Sequence, residues 1–486
     1  MLALDKSTDE FLYLQLVDLI SAQVDSGTLR AGDRLPSLRG LSTKLAVSIP
    51  TVRQAYLELE KQGRIEARPK SGYFVQAKHQ NRLVSVDCRN CKPMEVRCQS
   101  LIDRVYQHIH QAGVLPLGIA NPSMARPATK TLHRAMKRIM SRAEERSLSY
   151  APAYGEPGLC HQIAYRYLTD GGSIDPGEVI ISNGGQEALT LALKCVAKPG
   201  DVIAVESPAY YGMLELIESL DMLALEIETC PVRGVSLSAL ESALETHDIA
   251  ACLFSSSLNN PLGCLSSDTH REALVRLIEA HGKPLIEDDV YGELVFDTPR
   301  PRPAQFYSRK GLVLTCGSFS KTVAPGYRIG WLLPGRFLAR AQKFKRALSC
   351  SSGLLQQLTL AEFIASGDYD RHLKRLLPVL KQNAERMISC IENSFPPETR
   401  ISRPRGGSVI WLELSGGVDA EKLFDAAIEE NISIVPGSIF TAGERYRNFT
   451  RLSYGHPWSE RIEKGISTLG RLAYAMGDVS TQQGLP

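Results

Sequence analysis

Five short apolar runs constrain the fold of this chain more than any other feature: EVIIS (178–182), DVIAVE (201–206), ACLFSS (251–256), PLIEDD (284–289) and LVLTCGS (312–318). Helix-length amphipathic segments separate them. Strands spaced so widely do not pair as simple hairpins. Crossover helices would return the chain to the same edge each time, which predicts a mainly parallel sheet covered on both faces. On such a sheet the reactive side chains lie in the loops at the carboxyl ends of the strands. The residues after each run are therefore the candidates for chemistry. Helical segments around 336–394 then lead to SVIWLEL and RLSYG, strand-like runs expected in a smaller α+β domain.

EVIIS is followed by Asn183-Gly184-Gly185-Gln186. Two glycines before a helix let backbone amides approach an anion, although a plain tight turn explains the same letters. DVIAVE leads into SPAYYG, where Tyr210 can lie flat on an aromatic ligand or simply pack. ACLFSSSLNNPLG sets Asn259 and Asn260 at a strand end, with amides free to donate to a ligand oxygen. PLIE runs into Asp288-Asp289-Val290-Tyr291. Carboxylates among apolar residues are costly unless a cation or a donor compensates them, the alternative being that they are solvated. The last run ends in Gly317-Ser318-Phe319-Ser320-Lys321-Thr322, with Lys321 seven residues before Arg328 in PGYRIGW, which suggests an amine near a phosphate. No GxxxxGK[ST] and no GxGxxG is present, so nucleotide readings lose support.

The first eighty residues have a different character. Leu14, Val17, Leu19, Ile20 and Val24 mark one apolar face of a helix over 11–24. Ser37 is placed to cap a second helix that buries Leu38, Leu41 and Leu45, and Ser48 precedes a third that buries Val52, Ala55, Tyr56 and Leu59. GRIEARPKSGYFV reads as two strands around Lys70, Ser71 and Gly72. Three helices and a hairpin predict a winged helix-turn-helix. From about Ala77 to Leu101 the pattern fades into a polar stretch that reads as a linker.

A net charge of only +3 over 486 residues hides an uneven distribution. Residues 1–29 hold one base and five acids, whereas residues 30–78 hold ten bases and four acids, a net +6. A nearly neutral chain thus keeps a basic segment suited to a polyanion. The acidic start MLALDKSTDE is not a signal sequence, and no run approaches eighteen apolar residues, so a cytoplasmic protein with no membrane partner is expected. Eleven cysteines in a long chain suit reduced core residues. Cys88, Cys91 and Cys98 include a CxxC pair but lack a fourth ligand at conventional spacing; a plain linker is the better reading, and no metal site is expected.

Taken in order, GGQEAL, SPAYYG, NNPLG, EDDVYGEL, SFSK, PGYRIGW and RLSY make residues 113–486 resemble the fold-type I aminotransferases that use pyridoxal 5′-phosphate. The resemblance implies Lys321 as the Schiff-base lysine and Asp288 as partner of the pyridine nitrogen. It also implies Tyr291 and Asn260 on the ring's phenolic oxygen and Tyr210 stacked on the ring. Gly185, Gln186, Ser318 and Arg328, with Ser320, would hold the phosphate. Arg451 matches the arginine for a substrate α-carboxylate. Tyr150 matches a tyrosine that reaches the neighbouring subunit's phosphate, which implies a homodimer.

AGDRLPSLRGLSTKLAVSIPTVRQAYLELEKQGRIEARPKSGYFV resembles the GntR-type winged helix, and the two halves together are similar to the MocR-like regulators. That likeness implies a reader over 1–77, a linker over 78–112 and a sensor over 113–486, the last divided into a large domain (about 140–335) and a small one (about 336–486). Arg39 and Arg53 would contact DNA, Ser48 and Thr51 would sit at the start of the recognition helix, and Lys70 and Gly72 would form the wing tip. Ile49 and Pro50 depart from the usual pattern and remove one bidentate base reader, which puts the operator sequence in doubt. The function implied is a regulator that binds promoter DNA, pyridoxal phosphate and an amino acid or amine effector. The alternative is a transaminase, since no catalytic residue is missing.

Overall fold

The computed structural model describes residues 12–25, 29, 33–45, 47–61, 64–68, 72–75, 84, 92–96, 99–109, 111–122, 126–297, 299–415 and 417–482. The chain divides into two compact units, Met1–Arg82 and Leu83–Pro486.

The first unit holds helices α1 (Leu12–Asp25), α2 (Leu38–Leu45) and α3 (Ile49–Lys61), then strands β1 (Ile65–Arg68) and β2 (Gly72–Val75). The Ser37 hydroxyl accepts the Gly40 N–H at 3.1 Å and the Ser48 hydroxyl accepts the Thr51 N–H at 3.1 Å, so both short helices start where a cap is available. Val52, Ala55, Tyr56 and Leu59 of α3 form the centre of the core, and the Tyr56 hydroxyl donates to the Pro36 carbonyl at 2.9 Å. β1 and β2 pair antiparallel with Ile65 opposite Val75, and Arg34 adds a bridge to Phe74. Two expectations change. The buried face of α1 is Leu16, Val17 and Ile20, with Leu14 and Leu19 half-buried, and in α2 only Leu41 is fully buried. The helices pack around α3 by a narrower stripe than the apolar letters suggest.

The second unit is built on an eight-stranded sheet: β3 (Ile180–Ser182), β4 (Val202–Ser207), β5 (Leu223–Cys230), β6 (Gly234–Val235), β7 (Ile249–Phe254), β8 (Leu285–Asp288), β9 (Val313–Ser318) and β10 (Gly330–Leu333). Their order is β3-β10-β9-β8-β7-β4-β5-β6. The run from β9 to β5 is parallel and holds four of the five apolar segments together with β5; the first segment, in β3, lies at the sheet edge and pairs antiparallel with β10. β10, which begins at the last two residues of the PGYRIGW motif, is a strand that the apolar pattern does not announce; it pairs antiparallel with both β3 and β9. A second sheet of β11 (Arg400–Ile401), β12 (Val409–Glu413), β13 (Val435–Pro436) and β14 (Phe449–Ser453) is antiparallel and carries the smaller domain.

Part of the stretch expected to be a linker is structured. Met94 exchanges backbone hydrogen bonds with Ala224 beside the large sheet. The helix Gln99–Ile109 buries Ile102 and Val105 in the same core as Trp411 and Phe424 of the small domain. The Cys88, Cys91 and Cys98 cluster lies outside the described residues. No helix among the described residues is long and apolar enough to cross a membrane.

Candidate functional site

Lys321 lies just past the end of β9, where the parallel run stops. Its ammonium donates to Asn121 Oδ1 at 2.8 Å and to the Ala120 carbonyl at 3.2 Å. Burial pulls its pKa down to about 8, the Arg451 and Arg328 guanidinium groups act in the same direction, and Asp288 opposes them. A neutral amine, hence a nucleophile, is accessible near neutral pH.

Asp288 ends β8 and is buried, with one weak donor, the Val290 N–H at 3.4 Å. Burial raises its pKa to about 7, Asp289 adds to the rise, and Lys321 offsets part of it. A carboxyl in this state lacks a cation. Asp289 is engaged elsewhere, paired with Arg300, which also lies 3.7 Å from Glu293. The acidic pair therefore splits into one structural carboxylate and one that faces Lys321 electrostatically.

An anion cradle forms at the start of the helix Gly185–Val196. Gly184 has φ +82°, which favours glycine, and a Cβ there would displace the Arg328 guanidinium from its place. Arg328, itself left-handed at φ +53°, donates to the Asn183 carbonyl at 3.2 Å and to Ser320 Oγ at 3.4 Å. Ser318 Oγ donates to Ser320 Oγ at 3.0 Å and accepts the Ser320 N–H at 3.1 Å. Helix amides, two hydroxyls and a guanidinium converge here. The Gln186 side chain does not join them: its amide donates to the Gly212 carbonyl at 2.7 Å.

Tyr210, Tyr291, Asn260 and Arg451 form the rest of the site. Tyr210 packs at 4.7 Å from Tyr211, and Gly212 leaves room for its ring. The Tyr291 hydroxyl donates to the Ala120 carbonyl at 3.5 Å, and its ring centroid is 5.5 Å from the Lys321 ammonium. Arg451, in the middle of β14 and 1% exposed, donates to Asn260 Oδ1 at 3.3 Å and to the Gly118 carbonyl. Its Nε is buried with no acceptor. A buried cation with an unused donor suits a carboxylate. Tyr150 is 88% exposed.

The segment Gly118–Asn121 supplies acceptors to Lys321, Tyr291 and Arg451, and sequence reasoning misses all of its residues. Its only signal is the Gly and Asn-Pro punctuation of PLGIANPS. Taken together, the site offers an amine, a carboxyl in need of a cation, an anion cradle and a second, buried anion partner. That set fits a phosphorylated, protonated heterocycle bearing a carbonyl.

In the first unit, Arg39 and Arg53 are exposed on α2 and α3. Ser48 and Thr51 hydroxyls lie 2.7 Å apart at the start of α3, where Ile49 is 43% exposed. Gly72 opens β2 with φ +101°, and Lys70 lies outside the described residues.

Residues 112–469 match the family model described as aminotransferase class I and II, and residues 12–75 match bacterial regulatory proteins, gntR family. The chain is 35% identical over 464 residues to the uncharacterized HTH-type transcriptional regulator YjiR of Escherichia coli (strain K12), covering 95% of this chain and 98% of that one. A second such regulator of the same organism, YdcR, is 35% identical over 462 residues, with 95% and 98% covered. Among solved structures, LysN, the α-aminoadipate aminotransferase of Thermus thermophilus complexed with N-(5′-phosphopyridoxyl)-L-leucine, superposes with a TM-score of 0.71 at 28% identity, covering 77% of this chain and 98% of that one.

Proposed function

The chain belongs to the class I and II aminotransferases, in the MocR-like fusion that joins them to a gntR-family domain, and on that premise we propose that it is a transcriptional regulator whose sensor is built on pyridoxal 5′-phosphate. The observation that carries the reading is the coexistence of two features: a capped α3 with Arg53 exposed on it and Arg39 exposed on α2, and a site that keeps Lys321, Asp288, Arg328 and Arg451 together. An enzyme has no need of the first.

Pyridoxal 5′-phosphate is the cofactor of the large unit; when bound it supplies an electrophilic aldehyde and an electron-withdrawing ring. Lys321 would hold the aldehyde carbon, its amine kept reactive by burial and by Arg451. Asp288 would keep the ring nitrogen protonated, and that cation would relieve its own buried charge. Asn260 and Tyr291 would hold the phenolic oxygen, and Tyr210 would cover the ring. Gly185, Ser318, Ser320 and Arg328 would hold the phosphate, with Gln186 contributing through its backbone. Arg451 would take the carboxylate of an amino acid effector through its unused Nε. Tyr150 would complete the phosphate site of a second copy, which explains its exposure and makes the regulator a homodimer.

The reader, ending near residue 77, would bind double-stranded promoter DNA in the cytoplasm through Arg39, Ser48, Thr51 and Arg53, with Lys70 and Gly72 at the wing. Effector binding moves the DNA-binding equilibrium only by its differential affinity for two states, and Arg451 of the small domain reaches Asn260 of the large one. Borohydride reduction of purified yellow protein should fix the cofactor on Lys321; an equally coloured Lys321→Ala protein contradicts the assignment. A transaminase is the second reading, favoured by the reactive Lys321. Sustained production of a 2-oxo acid from an amino acid, with no retention of its own upstream DNA at low salt, would select it.

A further inference from the structure

Lys345 lies on the helix Leu338–Ser349 with 0% of its surface exposed, and no role assigned so far involves it. Its ammonium donates to Glu187 Oε2 at 3.1 Å, Ser349 Oγ at 2.8 Å and Ser352 Oγ at 3.0 Å, which uses all three of its donors. Glu187 stands in the first turn of the helix Gly185–Val196 and accepts the Asn183 N–H. The Asn183 carbonyl accepts from Arg328 at 3.2 Å. One continuous chain of charge-assisted hydrogen bonds thus runs from the interior of the protein to the anion cradle.

Charge gives this chain of bonds its significance. A carboxylate in the first turn favours an isolated helix. At this helix it also opposes the anion that the same N-terminus would bind. Burying a lysine is costly unless it is paired. Here the pairing places the compensating charge behind Glu187, on the side away from solvent. Burial pulls the Lys345 pKa down and Glu187 pushes it back.

We infer that Lys345 is a positioning residue for phosphate recognition: through Glu187 it fixes the Asn183–Gly184 turn, and its charge cancels that of Glu187 so that the cradle presents a positive field to the phosphate. This rests on the reading that the large unit binds pyridoxal 5′-phosphate. The same ammonium holds Ser349 and Ser352 on either side of Cys350, whose φ is +62°, so the cradle is tied to the turn that leads into the helix Leu354–Ala365.

The test compares two probes on one protein, pyridoxal 5′-phosphate and pyridoxal, which lacks the phosphate. Cofactor-free wild type, Lys345→Gln and the double variant Lys345→Gln with Glu187→Gln are titrated with each probe, binding being read from visible absorbance. Lys345→Gln should weaken binding of the phosphorylated probe by about tenfold while leaving pyridoxal within about twofold, because one uncompensated charge near the cradle acts on the phosphate alone. The double variant, with both charges gone, should recover most of the loss. Equal weakening of both probes, or none, overturns the inference. The double variant leaves neither charge of the pair unpaired and is the comparison to read where Lys345→Gln does not fold; its failure to distinguish the phosphorylated probe from pyridoxal also overturns the inference. Failure of the wild type to bind the phosphorylated probe instead refutes the cofactor reading itself.

Discussion

The ammonium of Lys321 lies 2.8 Å from Oδ1 of Asn121, a residue 200 positions earlier in the chain. The amine that defines the site is thus held by the segment that crosses from the linker region into the sensor. With the Lys321 pKa lowered to about 8, the neutral fraction rises as pH increases and is nearly complete about one pH unit above that value. The rate at which cofactor-free protein captures pyridoxal 5′-phosphate should therefore rise with a midpoint near pH 8 and level off by about pH 9, rather than climbing through the ordinary lysine value of about 10.4. Asn121→Ala removes an acceptor that favours the charged amine and should move the midpoint of this profile downward. Stopped-flow absorbance across pH measures both.

Asp288 gives a linkage prediction for the cofactor-free protein. Its folded pKa of about 7 lies above the unfolded value of 3.8, so the protonated form is the one folding favours. The corresponding stability is fully present below about pH 4 and is lost as pH rises through about 7. Glu206 and Glu287, raised by burial to about 8 and about 7, act in the same sense. Denaturant unfolding of cofactor-free protein should show Asp288→Asn losing less stability than wild type between about pH 5 and about pH 8.

Glu226 joins the two domains of the sensor. Buried on β5, it accepts from Ser207 Oγ at 2.9 Å, Thr441 Oγ1 at 2.6 Å and the Ala442 N–H at 2.6 Å, and it pairs with Arg445 at 2.6 Å. Glu226→Ala removes the buried acceptor that these groups share. It should lower stability by about 3 kcal/mol, read from chemical unfolding of the full chain.

Arg39 and Arg53 are exposed and outside the core of the first unit, so their removal should leave folding intact. If both contact phosphates, Arg39→Ala with Arg53→Ala should reduce the slope of log affinity against log salt by roughly 2. Fluorescence anisotropy with the upstream DNA over a salt series measures it.

Tyr150 predicts complementation. A Tyr150→Ala protein and a Lys321→Ala protein should each be impaired in holding the cofactor, the second completely. Mixed and reassembled, they form dimers in which one site has both native residues, so visible absorbance should return. Absence of any return argues against a shared site.

Much of the site is legible in the sequence because its residues follow strands. Lys321, Asp288 and Asn260 each stand at or just after the end of a recognisable apolar run, and Arg328 follows a Gly-bounded turn. Asn121 and Gly118 are not legible, since their roles exist only through contacts made hundreds of residues away. β10 is four residues long and antiparallel in a parallel context, and no period betrays it. The helix Gln99–Ile109 does carry a signal, Ile102 and Val105 at helical spacing, obscured by the polar stretch before it. Lys345 sits in KFKRA, which reads as a solvated basic face; only its packing against Glu187 reveals it as buried.

If cofactor chemistry at Lys321 governs DNA binding by the N-terminal unit, the two must be linked in one equilibrium. The most direct test is the affinity of the cofactor-loaded chain for its own upstream DNA, measured by anisotropy across a panel of amino acids and amines, with Lys321→Ala run in parallel. At least one carboxylate-bearing amine should shift the affinity of wild type, while Lys321→Ala still binds DNA but no longer responds. An equal response in both proteins would contradict this linkage.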